Sequence, residues 1–101
     1  IAVLGSMKEL GEAAERAHRD IGAQLRESGF DGVFLLGGEM EAAYEGLEGP
    51  DFPGVAAHFA DIGRLERVLE TFLRPGDLVL VKGSRSMALE RVTETIRRSR
   101  V

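Results

Sequence analysis

The residues best suited to chemistry are Lys82-Gly83-Ser84-Arg85-Ser86, which set two cations and two hydroxyls side by side. They follow the apolar run Leu78-Val79-Leu80-Val81 without a break. A continuous apolar run of this length ahead of a Gly reads as a strand buried on both faces. In an open parallel sheet, the residues just past a strand's carboxyl end face the ligand crevice. The segment from Ser6 to Gly11 leaves a first apolar run, Ile1 to Leu4, in the same way. Two such loops in one parallel sheet open on the same edge. Lys82 and Arg85 then supply positive charge, while Ser6, Ser84, Ser86 and loop N–H groups supply hydrogen bonds. That set suits a carboxylate, because Arg can bind it bidentately. The plainer alternative is a strand-to-helix connector carrying two solvated cations.

Other motifs carry less. Gly37-Gly38 falls between a strand-like and a helix-like stretch, where it reads either as a phosphate cradle or as a plain turn. No G-x-G-x-x-G and no G-x-x-x-x-G-K-[ST] occurs in the chain. His18 and His58 are far apart and lack partners at metal-ligand spacing, so a structural or surface role is expected for each. Glu9, Glu12 and Glu15 are a carboxylate cluster, but acids at the start of a helix are commonly dipole partners. Tyr44, Phe59, Met40 and Met87 read as core or gap-filling side chains.

The elements that would position these residues follow from periodicity. Strands are expected at Ile1–Leu4, Val33–Leu36, more weakly Val55–Phe59, and Leu78–Val81. A helix from Glu12 to Ser28 sets Ala14, Ala17, Ile21 and Leu25 on one face and stops at Gly29. Shorter helices are expected from Glu39 to Leu47 and from Met87 to Arg98. Between them, Asp61 is the expected N-cap of a helix with Ile62, Leu65, Val68, Leu69 and Phe72 on its apolar face. Arg74-Pro75-Gly76-Asp77 is a tight turn. Strand and helix alternate four times with short connections. This is an α/β chain: a Rossmann-like three-layer domain with a mostly parallel sheet and helices on both faces. The strand order is not legible from the sequence.

Bulk properties narrow the function. At 101 residues the chain is one domain, reading as 1–101 without a boundary. Its formal net charge is −4 and its charges are interleaved, which argues against a nucleic-acid surface. There is no cysteine, which excludes disulfides and Cys-based metal sites and fits a reducing, cytoplasmic setting. No apolar run approaches a membrane span, and the start is too short for a signal-peptide core. The chain opens on Ile1 inside a strand-like run, so a trimmed domain is expected.

At the two loops the sequence resembles a known family. Gly5-Ser6-Met7-Lys8-Glu9-Leu10-Gly11 resembles the Gly-Asp-Met-x-Glu-Leu-Gly segment of the Mur ligases that add D-alanyl-D-alanine. Lys82-Gly83-Ser84-Arg85-Ser86 resembles their Lys-Gly-Ser-Arg segment, and His58-Phe59-Ala60-Asp61 and Arg74-Pro75-Gly76-Asp77 are also similar at the right spacing. The resemblance implies a C-terminal Mur ligase domain lacking its first strand-helix unit. Such a domain closes over a central ATPase domain of the same protein and helps hold the incoming dipeptide. The implied reaction of peptidoglycan precursor synthesis is ATP-dependent amide formation. An acyl phosphate forms on UDP-N-acetylmuramoyl-tripeptide and the D-alanyl-D-alanine amine attacks it. Mg²⁺ serves the phosphates. ATP and Mg²⁺ are held mainly by the central domain, so the chain alone is expected to be inactive.

By the same resemblance, Lys82, Ser84, Arg85 and Ser86 belong to the dipeptide side of the cleft, with Arg85 as carboxylate partner. Ser6, Met7 and Glu9 belong to the facing loop. Ser6 departs from the pattern, standing where the family usually has Asp. The competing expectation is a non-catalytic Rossmann-like small-molecule-binding or interaction module. A receiver-type module needs an acidic pocket at the strand ends, whereas the strands here end in Gly5, Gly37 and Lys82.

Overall fold

The computed structural model describes residues 1–6, 14–48, 51–83 and 89–99. Val33-Phe34-Leu35-Leu36 has no polar residue at either parity of a strand, so both of its faces need cover. The structure gives it that cover: β2 (Gly32–Leu36) is buried at every position and lies inside the sheet. β1 (Ala2–Gly5) is buried throughout as well. With β3 (Val55–Phe59) and β4 (Leu80–Lys82) they form a four-stranded sheet in the order β3-β2-β1-β4. Every pairing is parallel. The helices are α1 (Ala14–Glu27), α2 (Met40–Gly46), α3 (Ile62–Phe72) and α4 (Glu90–Ser99).

The alternation of side chains along each strand sorts two cores. Ala2, Leu4, Val33 and Leu35 meet Leu25 of α1 and Met40 and Ala43 of α2 on one face. Val3, Phe34 and Leu36 meet Leu65 and Leu69 of α3 and Val92 of α4 on the other. The Phe34 ring packs edge-on to Phe72 at 5.3 Å and lies nearly parallel to Phe59 at 6.4 Å. The chain steps from β1 to β2 to β3 in one direction with α1 and α2 on the first face. It then reverses past β1 to β4 with α3 on the second. Crossovers of a single hand require that change of face when the direction changes.

Local chemistry sets the element ends. Gly29, at φ 77°, ends α1, and the Arg74–Asp77 turn closes with Asp77 N–H on Arg74 O at 3.1 Å. Asp61 caps α3 as the sequence predicts, its Oδ2 accepting from Arg64 N–H at 3.1 Å. Asp61→Ala is expected to lower stability by about 1 kcal/mol, read as a shifted urea midpoint. Glu66 of α3 holds α4: it accepts from the Thr95 hydroxyl and pairs with Arg91 at 2.9 Å. His18 is fully buried in α1, its Nδ1–H donating to Ala14 O at 2.7 Å, a core histidine in a structural role.

The main departure from expectation is the last strand. It was expected from Leu78, buried on both faces. Instead β4 covers Leu80–Lys82 and, among the described residues, pairs only with β1. Val79 and Val81 pack into the second core, whereas Leu78 is 88% and Leu80 49% exposed. The cause is topological: α1 and α2 follow the chain away from β4, so the layer they form does not cover it. Smaller differences occur at helix ends. Glu39 and Leu47 are caps of α2 rather than members. Val68 stands at the margin of the α3 stripe and is exposed. The expected helix starts at Glu12 and Met87 lie outside the described residues.

Candidate functional site

The order β3-β2-β1-β4 has its reversal between β1 and β4. From the end of β1 the chain leaves towards α1 on one face; from the end of β4 it leaves towards α4 on the other. Diverging loops at such a switch point leave a crevice outside the carboxyl ends of the strands. The two strands run in register, with Leu4 opposite Lys82, so Gly5 and Gly83 are neighbours. Their approach is close: a Cβ placed on Gly83 would lie 3.0 Å from Gly5 Cα and N. The loops that the sequence pairs on chemical grounds therefore start from adjacent backbone.

Among the residues singled out from sequence, Ser6 and Lys82 lie within the described chain. Lys82 ends β4 and is exposed. It faces the same side as Leu4, the α1/α2 side. Ser6 is fully buried. Its N–H donates to Leu36 O at 3.0 Å and its hydroxyl to the same oxygen at 3.4 Å, so it ties the β1 loop to β2. Met7, Glu9, Ser84, Arg85 and Ser86 lie outside the described residues.

Further along the same edge, the Gly37-Gly38 turn is fixed from β3. Gly37 N–H donates to Phe59 O at 2.9 Å, and His58 Nε2–H donates to Gly37 O at 2.6 Å. The Gly37 amide is thus already used, and its φ of 111° explains why glycine stands there. Gly38 lines a cleft of about 550 Å³ with Glu15, Glu39, Glu41 and Glu45. Arg19 binds two of these carboxylates, Glu15 at 3.2 Å and Glu45 at 3.1 Å. An acidic rim repels a phosphate, so the turn reading of Gly37-Gly38 prevails over the cradle. Sequence reasoning missed the anchoring role of His58 and the Gly5–Gly83 approach. The signal was there in part: Gly5 follows the first apolar run, and Gly83 stands one residue past the last.

The Mur ligase, glutamate ligase domain, family matches residues 1–85. The chain belongs to the Mur ligase family. A UDP-N-acetylmuramoyl-tripeptide–D-alanyl-D-alanine ligase of Synechocystis sp. is 37% identical over 98 residues, covering 95% of this chain and 21% of that protein. The ligase of the same name from Treponema pallidum is 36% identical over 100 residues, covering 99% and 22%. Among solved structures, MurF ligase from Thermotoga maritima in complex with ADP superposes with a TM-score of 0.75 at 31% identity, covering 97% of this chain and 21% of that one. A MurF crystal structure from Acinetobacter baumannii gives 0.76 at 25% identity, covering 93% and 21%. The chain thus spans about a fifth of the length of the curated relatives it matches. Among the described residues, no helix is long and apolar enough to cross a membrane.

Proposed function

We propose that this Mur ligase chain is the C-terminal, substrate-binding and closing domain of a cytoplasmic ligase that joins D-alanyl-D-alanine to UDP-N-acetylmuramoyl-tripeptide. The observation that carries the reading is the parallel β1–β4 register at the switch point, which starts both family-like loops from adjacent backbone. Lys82, Ser84, Arg85 and Ser86 form the dipeptide side. Arg85 takes the dipeptide carboxylate bidentately, and Lys82 adds a point charge at the strand end. Ser6 anchors the facing loop through Leu36 O, and Met7 and Glu9 complete it. For a chain of net charge −4, two local cations are what allow an anionic ligand to settle here.

The nucleotide and its metal belong elsewhere in the longer protein. Among the described residues, no group of three or more His, Asp or Glu side chains could hold a metal ion. The chain also lacks a G-x-x-x-x-G-K-[ST] loop. The described residues thus offer no multi-ligand metal cage, and the sequence no phosphate loop of that pattern. The ADP in the Thermotoga maritima relative supports ATP use by the whole enzyme. What this chain contributes is binding and orientation: the dipeptide held by its carboxylate end, leaving its amine free to point at the activated acyl group.

The test is a titration of the ¹⁵N-labelled chain with D-alanyl-D-alanine. Chemical-shift changes are expected at Ser6–Glu9 and Lys82–Ser86, and Arg85→Ala should weaken the response about tenfold or more, the effect of losing a charge-assisted bidentate pair. Changes confined to the opposite sheet edge, near Ile1, Gly32 and Val55, would count against this site.

A further inference from the structure

We propose that Glu66 is a positioning residue for the crevice between β1 and β4: by gripping Arg91 and Thr95 it fixes how far α4 lies along α3, and α4 in turn sets the strand end at Gly83. This deepens the dipeptide reading of the crevice and rests on it. The grip has two arms. Glu66 Oε2 accepts from the Thr95 hydroxyl, and Oε1 pairs with Arg91 Nη2 at 2.9 Å. Arg91 and Thr95 stand four residues apart, so both arms reach the same face of α4. Glu66 itself has a firm mount, because Leu65 and Leu69 beside it on α3 are fully buried in the second core.

The apolar contacts of α4 do not do this alone. Leu89, Val92 and Ile96 bring one face of the chain there into the second core. Apolar burial is non-directional, so such a stripe settles which face turns inward more firmly than where the helix stops along its axis. Two oxygens bonded to two residues one turn apart do settle it, since a slide by one residue, about 1.5 Å, breaks both arms. The carboxylate itself points the same way. The Glu66 side chain is only 14% exposed, and its Oε1 has no hydrogen bond beside the ion pair among the described residues. A carboxylate desolvated in this way contributes little net stability, and an apolar residue of similar size would hold the two helices about as tightly. What the acid adds is the register.

The path from α4 to the crevice is short. Leu89 leads into the helix, its O accepting from Val92 N–H at 2.9 Å and Thr93 N–H at 3.3 Å. Its Cδ1 lies against Gly83, 2.6 Å from where a Cβ on that glycine would stand. The other neighbour of that point is the Gly5 backbone, at 3.0 Å. Moving α4 along α3 therefore moves Leu89 on Gly83, and with it the spacing of the two strand ends beside which Ser6 and Lys82 stand. The crevice is held in this way from the α3/α4 face of the sheet, the face opposite to α1 and α2.

Glu66→Leu, with the pair Thr95→Val and Thr95→Ser, tests this in the ¹⁵N-labelled chain. In Glu66→Leu the exposed Arg91 turns to water, and the Thr95 hydroxyl donates to the Arg91 carbonyl one turn back. The urea midpoint should therefore stay or rise. Even without ligand the Gly83 and Leu89 amide signals should move, and D-alanyl-D-alanine should bind about tenfold more weakly. Thr95→Val should weaken binding in the same direction, whereas Thr95→Ser keeps the hydroxyl and should bind like the parent. Gly83 and Leu89 signals unmoved in Glu66→Leu overturn the proposal, as does parent-like dipeptide affinity in that variant. Equal binding by Thr95→Val and Thr95→Ser also overturns it. So does weakened binding that only follows a lowered urea midpoint, the mark of a merely structural contact. A parent chain with no dipeptide response sinks the dipeptide reading instead, and the ligand-free Gly83 and Leu89 signals then decide the role of Glu66 by themselves.

Discussion

Replacing Gly22 with alanine is expected to cost about 3 kcal/mol or more, and Gly46→Ala a similar amount. A Cβ on Gly22 would lie 2.0 Å from Ala43 O and 2.9 Å from Leu47 N; one on Gly46 would lie 2.0 Å from Arg19 O. The atoms in the way are backbone, so no rotamer change relieves the clash and α1 must lift off α2. Lifting opens the first core where Leu25, Met40, Ala43 and Leu47 close it. Helix propensity acts in the other direction, because alanine is favoured over glycine inside a helix by about 1 kcal/mol. The steric effect is larger and decides the sign. The ion pairs across this contact, Arg19–Glu45 and Arg26–Glu48, are largely exposed and cannot offset it. Urea unfolding of each variant is the measurement. An unchanged or raised midpoint would show that the helices do not touch backbone to backbone. Both substitutions force the same separation, so the double variant should lose less than the sum of the two.

Gly22 also shows where sequence reading stops. The strands and most helices were legible because short apolar runs stop at Gly, Pro or Asp, and those residues have direct local consequences: Gly29 at positive φ, Asp61 as a cap. Which face of α1 turns inward was blurred. Leu25 of the expected stripe is buried, but Ala17 and Ile21 are only half-buried and the other buried positions are His18 and Gly22, the latter because a close helix contact needs the smallest residue rather than the most apolar one. β4 failed for a related reason. Four consecutive apolar residues look alike in a central strand and at an edge, and only strand order tells them apart. Strand order depends on which helix covers which face, a property of the whole chain. At the site, the shared edge from which the two loops start was legible because both leave carboxyl ends of parallel strands. The inward turn of Ser6 was not, since it depends on Leu36 O of a neighbouring strand. Gly37-Gly38 resembled a ligand loop for the same composition that makes it a turn. Its glycine serves backbone conformation, and its amide and carbonyl are taken by Phe59 and His58.

Gly83→Val is expected to remove the dipeptide response and about 2 kcal/mol of stability together. Gly83 lies just past β4, where its backbone comes close to that of Gly5 at the end of β1. A Cβ there meets two obstacles of different kinds: Leu89 Cδ1 at 2.6 Å and the Gly5 backbone at 3.0 Å. The leucine tip can swing aside, so a single methyl is tolerated at modest cost. The Gly5 backbone cannot swing, and the two branches of a valine reach towards both. The carboxyl ends of β1 and β4 must then part, and the loops that begin at Ser6 and Ser84 part with them. Lys82→Ala is the matched comparison. Lys82 is exposed at the end of β4, so its removal should leave the urea midpoint within about 0.5 kcal/mol of the parent while weakening D-alanyl-D-alanine binding. The two variants separate geometry from charge. Loss of binding in both, with loss of stability confined to Gly83→Val, is the pattern expected of a site built on the spacing of two strand ends. Parent-like dipeptide affinity in Gly83→Val would mean that the ligand does not depend on that spacing, and the crevice between β1 and β4 would no longer be the place to look for it.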